Sequence, residues 1–119
     1  MMRIGKIVLP VFLSFFFIFY GANMVLAMSG RNVFKTKGCI NCHTVKGSGG
    51  NAGPDLSDIG YRKRIAWIEG FIKNPDNYYS AGSSAYINGK EYIIMMPPFK
   101  NMLSAAQLNA VAGYLESLK

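Results

Sequence analysis

Cys39-Ile40-Asn41-Cys42-His43 is the stretch on which the reading of this chain turns. Two thiols three residues apart lie on one side of a tight helical turn, so both can reach the two vinyl groups of one porphyrin. The histidine that follows falls beneath the macrocycle, where an imidazole nitrogen can bind iron axially. This is the attachment signature of c-type haem. Through thioethers at Cys39 and Cys42 the haem would become part of the covalent structure.

Rival readings of these residues are limited by a count. The chain has two cysteines and one histidine in all. A structural zinc site normally takes four Cys/His ligands, and only three adjacent ones exist here. A thioredoxin-like dithiol would need a βαβ context, and no such pattern follows. A short-loop disulfide in an exported protein is the remaining rival.

The N-terminus points to export. Arg3 and Lys6 precede an apolar, Phe-rich run from Ile7 to Tyr20 that carries no charge. A softer segment ends in Val25-Leu26-Ala27, which suits cleavage after Ala27, so residues 1–27 read as a signal peptide. The other reading is an N-terminal membrane anchor, since no residue from Ile7 to Gly30 is charged. No cysteine lies near the cut, which excludes a lipid-anchored form. Both readings place the rest of the chain outside the cytoplasmic membrane, in the periplasm or tethered to the inner membrane, because Arg3 and Lys6 hold the N-terminus inside.

Residues 28–119 make one small domain of 92 residues, a size that commonly needs a staple or cofactor to complete its core. Eleven Lys/Arg against six Asp/Glu in that span give a formal charge of +5, which favours acidic partners. The basic residues are scattered and not interleaved with aromatics, so nucleic-acid binding is not expected.

Ser29 can cap a helix over residues 30–37, ended by Gly38. The stretch from Lys46 to Pro54 is rich in glycine and other turn formers and is expected to lack regular structure. From Tyr61 to Lys73, Ile65, Ile68 and Ile72 repeat at helical spacing with Trp67 and Phe71 as a second stripe. Asn74-Pro75 stops that helix. Asn88-Gly89 between Ala85-Tyr86-Ile87 and Glu91-Tyr92-Ile93-Ile94 predicts a small β-hairpin near Ala85–Ile94. The tyrosines around it read as cover for a haem edge. Ser104 and Gln107 form a capping box, after which Leu108, Val111, Ala112, Leu115 and Leu118 make one apolar helix face.

In this order the segments resemble a small bacterial class I cytochrome c. The resemblance rests on Gly30 and Phe34, Cys39 to His43, Gly53-Pro54-Asp55-Leu56, Asn74-Pro75, Met96-Pro97-Pro98-Phe99 and the last helix. It implies an all-α cytochrome c fold, about three to four helices around one covalently attached haem c, with the first and last helices crossing at Gly30. It also implies His43 and Met96 as the axial ligands of the iron, and the Pro54 carbonyl as partner of the His43 Nδ1–H.

The residues alone narrow the second ligand less far. No second histidine exists, and beyond residue 27 the thioethers are Met28, Met95, Met96 and Met102. Met95 and Met96 would point to opposite sides of an extended segment, so one faces the iron and the other does not. Tyr61, Arg62, Arg64 and Trp67 are candidate contacts for the haem propionates.

Such a centre is expected to act as a one-electron carrier between redox proteins, cycling Fe(III)/Fe(II) without catalysing a reaction alone. Lys46 and Lys100 are candidates to ring the haem edge and steer an acidic partner. Rival roles are a haem c subunit of a multisubunit respiratory oxidoreductase, or a gas or redox sensor in which Met96 leaves the iron. A peroxidase would need a distal acid–base group, and no spare histidine is present.

Overall fold

The computed structural model describes residues 28–119; the expected signal peptide or anchor at residues 1–27 lies outside them. Three α-helices set the frame: α1 (Gly30–Thr36), α2 (Ile65–Lys73) and α3 (Ala105–Glu116). Two short antiparallel ladders join them, β1 (Thr44–Val45) with β2 (Ser48–Gly49), and β3 (Ser84–Ile87) with β4 (Lys90–Ile93).

The caps explain where α1 and α3 begin. The Ser29 hydroxyl accepts from the Asn32 N–H, and the Ser104 hydroxyl accepts from the Gln107 N–H while the Gln107 side chain takes the Ser104 N–H. Each satisfies amide groups that the first helical turn leaves without partners. Gly38, with φ +83°, turns the chain out of α1 and straight into the 3-10 turn Cys39–Asn41.

One core holds the helices together. Val33 and Phe34 from α1, Ile68 and Ile72 from α2, and Leu108, Val111, Ala112 and Leu115 from α3 are all buried in it. The crossing of α1 and α3 depends on Gly30: a β-carbon there would run into the Ala110 carbonyl and the Tyr114 β-carbon. Phe34 meets Tyr114 edge-on beside this crossing, with ring centroids 5.9 Å apart.

Two expectations need correction. The helix expected from Tyr61 begins at Ile65, after a separate 3-10 turn at Ile59–Tyr61. Arg64 is extended, and the free N–H of Ile65 donates to the Glu116 carboxylate at the end of α3. That carboxylate lies 51 residues away in sequence, so no local pattern could mark this helix start. The Lys46–Pro54 stretch, expected to be irregular, carries β2 and pairs back to β1. Lys46 and Gly47 both take positive φ, +48° and +83°, which makes the two-residue turn such a ladder needs. The Asn88-Gly89 hairpin forms as expected, with φ of +53° and +79° at its turn.

Candidate haem site

The loop after the cysteines is folded back on the 3-10 turn by a series of hydrogen bonds. The Gly50 N–H donates to Ile40 O at 2.9 Å, Gly53 N–H to Cys42 O at 2.8 Å, and Leu56 N–H to Thr44 O at 2.9 Å. Asp55 accepts from the backbone and hydroxyl of Ser57, whose oxygen accepts from the Lys46 N–H at 2.7 Å. These two bonds to Ser57 hold the Asp55 carboxyl below the usual carboxylate range. The outcome of this lacing is the position of Pro54.

Its carbonyl lies 2.7 Å from His43 Nδ1. A carbonyl can only accept, so Nδ1 carries the proton and Nε2 keeps its lone pair. Burial pushes the His43 pKa down, with the Pro54 contact partly opposing it, which favours the neutral ring that a metal ion needs. Gly53 packs flat on this ring. A β-carbon there would stand 2.6 Å from Cε1 and 2.9 Å from Nδ1, so any larger residue would push the imidazole aside.

His43 stands in the wall of a largely apolar cavity of about 560 Å3, with Cys39 and Cys42 beside it. Both cysteines are free thiols, and burial raises the pKa of Cys39. Helices α1, α2 and α3 all contribute to the wall, through Phe34, Ile68, Ile72, Val111 and Leu115 among others. The core of the domain is thus open on one side.

Met95, Met96 and Met102 all border this cavity, but differently. Met95 is 64% and Met102 47% exposed, whereas Met96 is half-buried and packs against the helix core. The chain on either side of Met96 is pinned. The Ile94 N–H donates to Ser83 O at 2.8 Å, and the Phe99 N–H donates to Ile72 O at 3.0 Å, near the end of α2. Pro97 and Pro98 stiffen the link between them. Side chains alternate through this stretch: Tyr92 half-buried, Ile93 54% exposed, Ile94 8% exposed, Met95 out, Met96 in.

The candidate propionate contacts separate into two pairs. Arg62 and Trp67 are on the cavity wall; Tyr61, 73% exposed, and Arg64, at the cap position of α2, are not. Arg62 is paired with Asp58 at 2.7 Å. Lys63, which sequence reasoning missed, also lines the cavity, and its Nζ sits 4.2 Å over the Trp67 ring. Lys46 and Lys100 are exposed and off the wall; Lys37 is on it. Of the hairpin-region tyrosines, Tyr79 and Tyr92 line the cavity, Tyr78 packs on Trp67 and Phe71, and Tyr86 faces solvent.

These residues fit a haem. Two thiols, an imidazole with Nε2 available and a thioether share one apolar cavity, while the cations on its wall have no carboxylate among them. Among the described residues no cluster of three or more His, Cys, Asp or Glu could hold a bare metal ion instead. No described helix is long and apolar enough to cross a membrane.

The family model for cytochrome c matches residues 27–119. The chain is also 37% identical over 94 residues to a protein of Alkalihalophilus pseudofirmus named cytochrome c oxidase subunit 2. That alignment takes in 79% of this chain, which spans only 26% of the relative's length.

Proposed function

The chain belongs to the cytochrome c family, whose domains bind haem c covalently and pass electrons to redox partners, and from that premise we propose that it is a one-electron carrier outside the cytoplasmic membrane. The observation that carries this reading is the pairing of a pre-oriented His43 with an inward Met96 in one apolar cavity. Bound there, haem supplies reversible one-electron Fe(III)/Fe(II) chemistry.

The residues have distinct tasks in this reading. Cys39 and Cys42 give the sulfurs of the two thioether bonds. His43 offers Nε2 to the iron, and Pro54 fixes the tautomer and orientation of its ring at 2.7 Å. Met96 would offer its thioether sulfur as the second protein ligand. An imidazole and a thioether both committed to the iron would leave no open site for substrate, which suits transfer and not turnover. Ile68, Ile72 and Val111 keep water from the cavity, and a thioether ligand in a dry site favours the ferrous state. Lys37 and Lys63 at the wall suit partners with acidic docking surfaces.

The experiment is a redox-titrated absorption spectrum of the purified protein. We expect haem that survives denaturation attached, a far-red methionine–iron band when oxidised, and a single one-electron wave. Absence of covalent haem would sink the reading, and rapid CO binding to the reduced protein would replace it with the sensor role. The similarity to an oxidase subunit supports a second reading, in which the same domain serves as the haem c subunit of a respiratory oxidoreductase. Co-migration with an oxidase activity on native gels of solubilised membranes would select that reading; a free 92-residue species would select the carrier.

A further inference from the structure

Hairpin β3–β4 borders the cavity, and beyond the tyrosine cover expected from the sequence it has been given no role. We propose that it is a haem-binding flap: its inner face closes the cavity, and its register presents Met96, not Met95, to the iron. This rests on the reading that the cavity holds haem between His43 and Met96.

A two-stranded hairpin alone is marginally stable in water. Among the described residues its strands have no substantial packing on any helix. Ile94, which continues β4, is nevertheless buried, and it lies outside the buried core that the helices share. It is tied to the preceding loop, where its N–H donates to Ser83 O and its carbonyl accepts from the Gly82 N–H, both at 2.8 Å. Ile87, Tyr92 and Ile94 all line the cavity; Ile93 also borders it, but is 54% exposed. With haem in that cavity, this apolar face would pack against a flat and mainly apolar porphyrin.

Pairing determines which residues form this face. Ala85 opposes Tyr92 and Ile87 opposes Lys90, so Ala85, Ile87 and Tyr92 share the inner side, where Lys90 Nζ reaches over the Tyr92 ring at 5.1 Å. Ser84 opposes Ile93 and Tyr86 opposes Glu91 on the outer side, and all four are exposed. The alternation runs on without a break through Ile94 and Met95 to Met96. A slip of one residue would turn Met95 inward and Met96 out. The two-residue Asn88-Gly89 turn, with both φ positive, is what fixes that register. The hairpin thus acts on the iron in two ways: it excludes water from one side of the haem, and it positions the ligand.

The test compares two double variants of the haem-loaded protein. Ile87→Gln with Tyr92→Gln alters the inner face; Ser84→Gln with Tyr86→Gln alters the outer. We expect the inner pair to lower the equilibrium constant for reduction about three- to tenfold, which is about 30–60 mV for one electron, and to speed imidazole binding to the oxidised protein. The outer pair should leave both unchanged. Should the inner pair fail to accumulate, Ile87→Thr should shift both readouts the same way by less, and Tyr92→Phe should match the parent. No shift from the inner substitutions, or equal shifts from both faces, overturns the proposal. Failure of the underlying carrier reading would look different, as absent covalent haem or no methionine–iron band in the unsubstituted protein.

Discussion

Met95 and Met96 have the same side chain and adjacent positions, yet the structure treats them as opposites. Met95 is 64% exposed, and Met96 is half-buried against the helix core. A thioether is a weak ligand, so its contribution depends on being held in place. If Met96 is the ligand, as proposed, the holding would fall to Pro97-Pro98 and to the Phe99 N–H bond to Ile72 O at 3.0 Å. Replacing Met96 with Leu should abolish the far-red methionine–iron band and lower the midpoint potential, because a softer ligand that favours Fe(II) is lost. Met95→Leu should leave both as they are. The oxidised absorption spectra of the two variants decide the matter, and loss of the band in the Met95 variant would reverse the assignment. Period two alone says only that the neighbours differ; the family resemblance points to Met96, and the exposure pattern along the strand puts that residue on the inner side.

The elements that could be read from sequence are those whose signals are local. Ser104 and Gln107 lie three residues apart, and so do the groups they bond, which made the start of α3 legible. Asn88-Gly89 likewise supplies both positive-φ residues of its own turn. The start of α2 was not legible, because the group that caps Ile65 is Glu116 on another helix. The β1–β2 ladder was missed for a related reason: Lys46 adopts a positive φ that its residue type does not advertise. Gly30 is the case where a local residue reports a long-range contact. An added methyl would strike the Ala110 carbonyl, which is backbone and cannot rotate away. Gly30→Ala gains less than about 1 kcal/mol of helix propensity, while overpacking at such a contact costs about 1–3 kcal/mol or more. The crossing term wins, so the variant should unfold at lower guanidinium concentration than the parent. A midpoint that stayed or rose would show that α1 and α3 can part without loss.

At the scale of the whole molecule, the haem and the charge are linked through the cavity. The buried helix core of nine residues faces an open cavity of about 560 Å3, so the domain's apolar interior is completed by its cofactor and not by side chains alone. That was legible from the motif and the short chain. Where the charge sits was not: Lys46 and Lys100, near the ligands in sequence, are off the cavity wall, whereas Lys37, Arg62 and Lys63 are on it. Arg62 is engaged with Asp58, which leaves Lys37 and Lys63 as the wall cations without a carboxylate partner among the described residues. Residues 28–119 carry a formal charge of +5, so an approaching acidic protein is attracted over the screening distance of the solution. That distance is about 30 Å at 0.01 M salt and about 8 Å at 0.15 M. The second-order rate of electron exchange with an acidic redox protein should therefore fall several-fold across this range, while the rate with a neutral small-molecule reductant should stay flat. Lys37→Gln with Lys63→Gln should flatten the salt dependence more than Lys46→Gln with Lys100→Gln, because the wall cations stand closer to where the electron leaves. Stopped-flow rates for both pairs against ionic strength test this directly. A flat profile in the unsubstituted protein would remove electrostatic steering from its function, and a larger effect from the Lys46 and Lys100 pair would move the docking face away from the cavity.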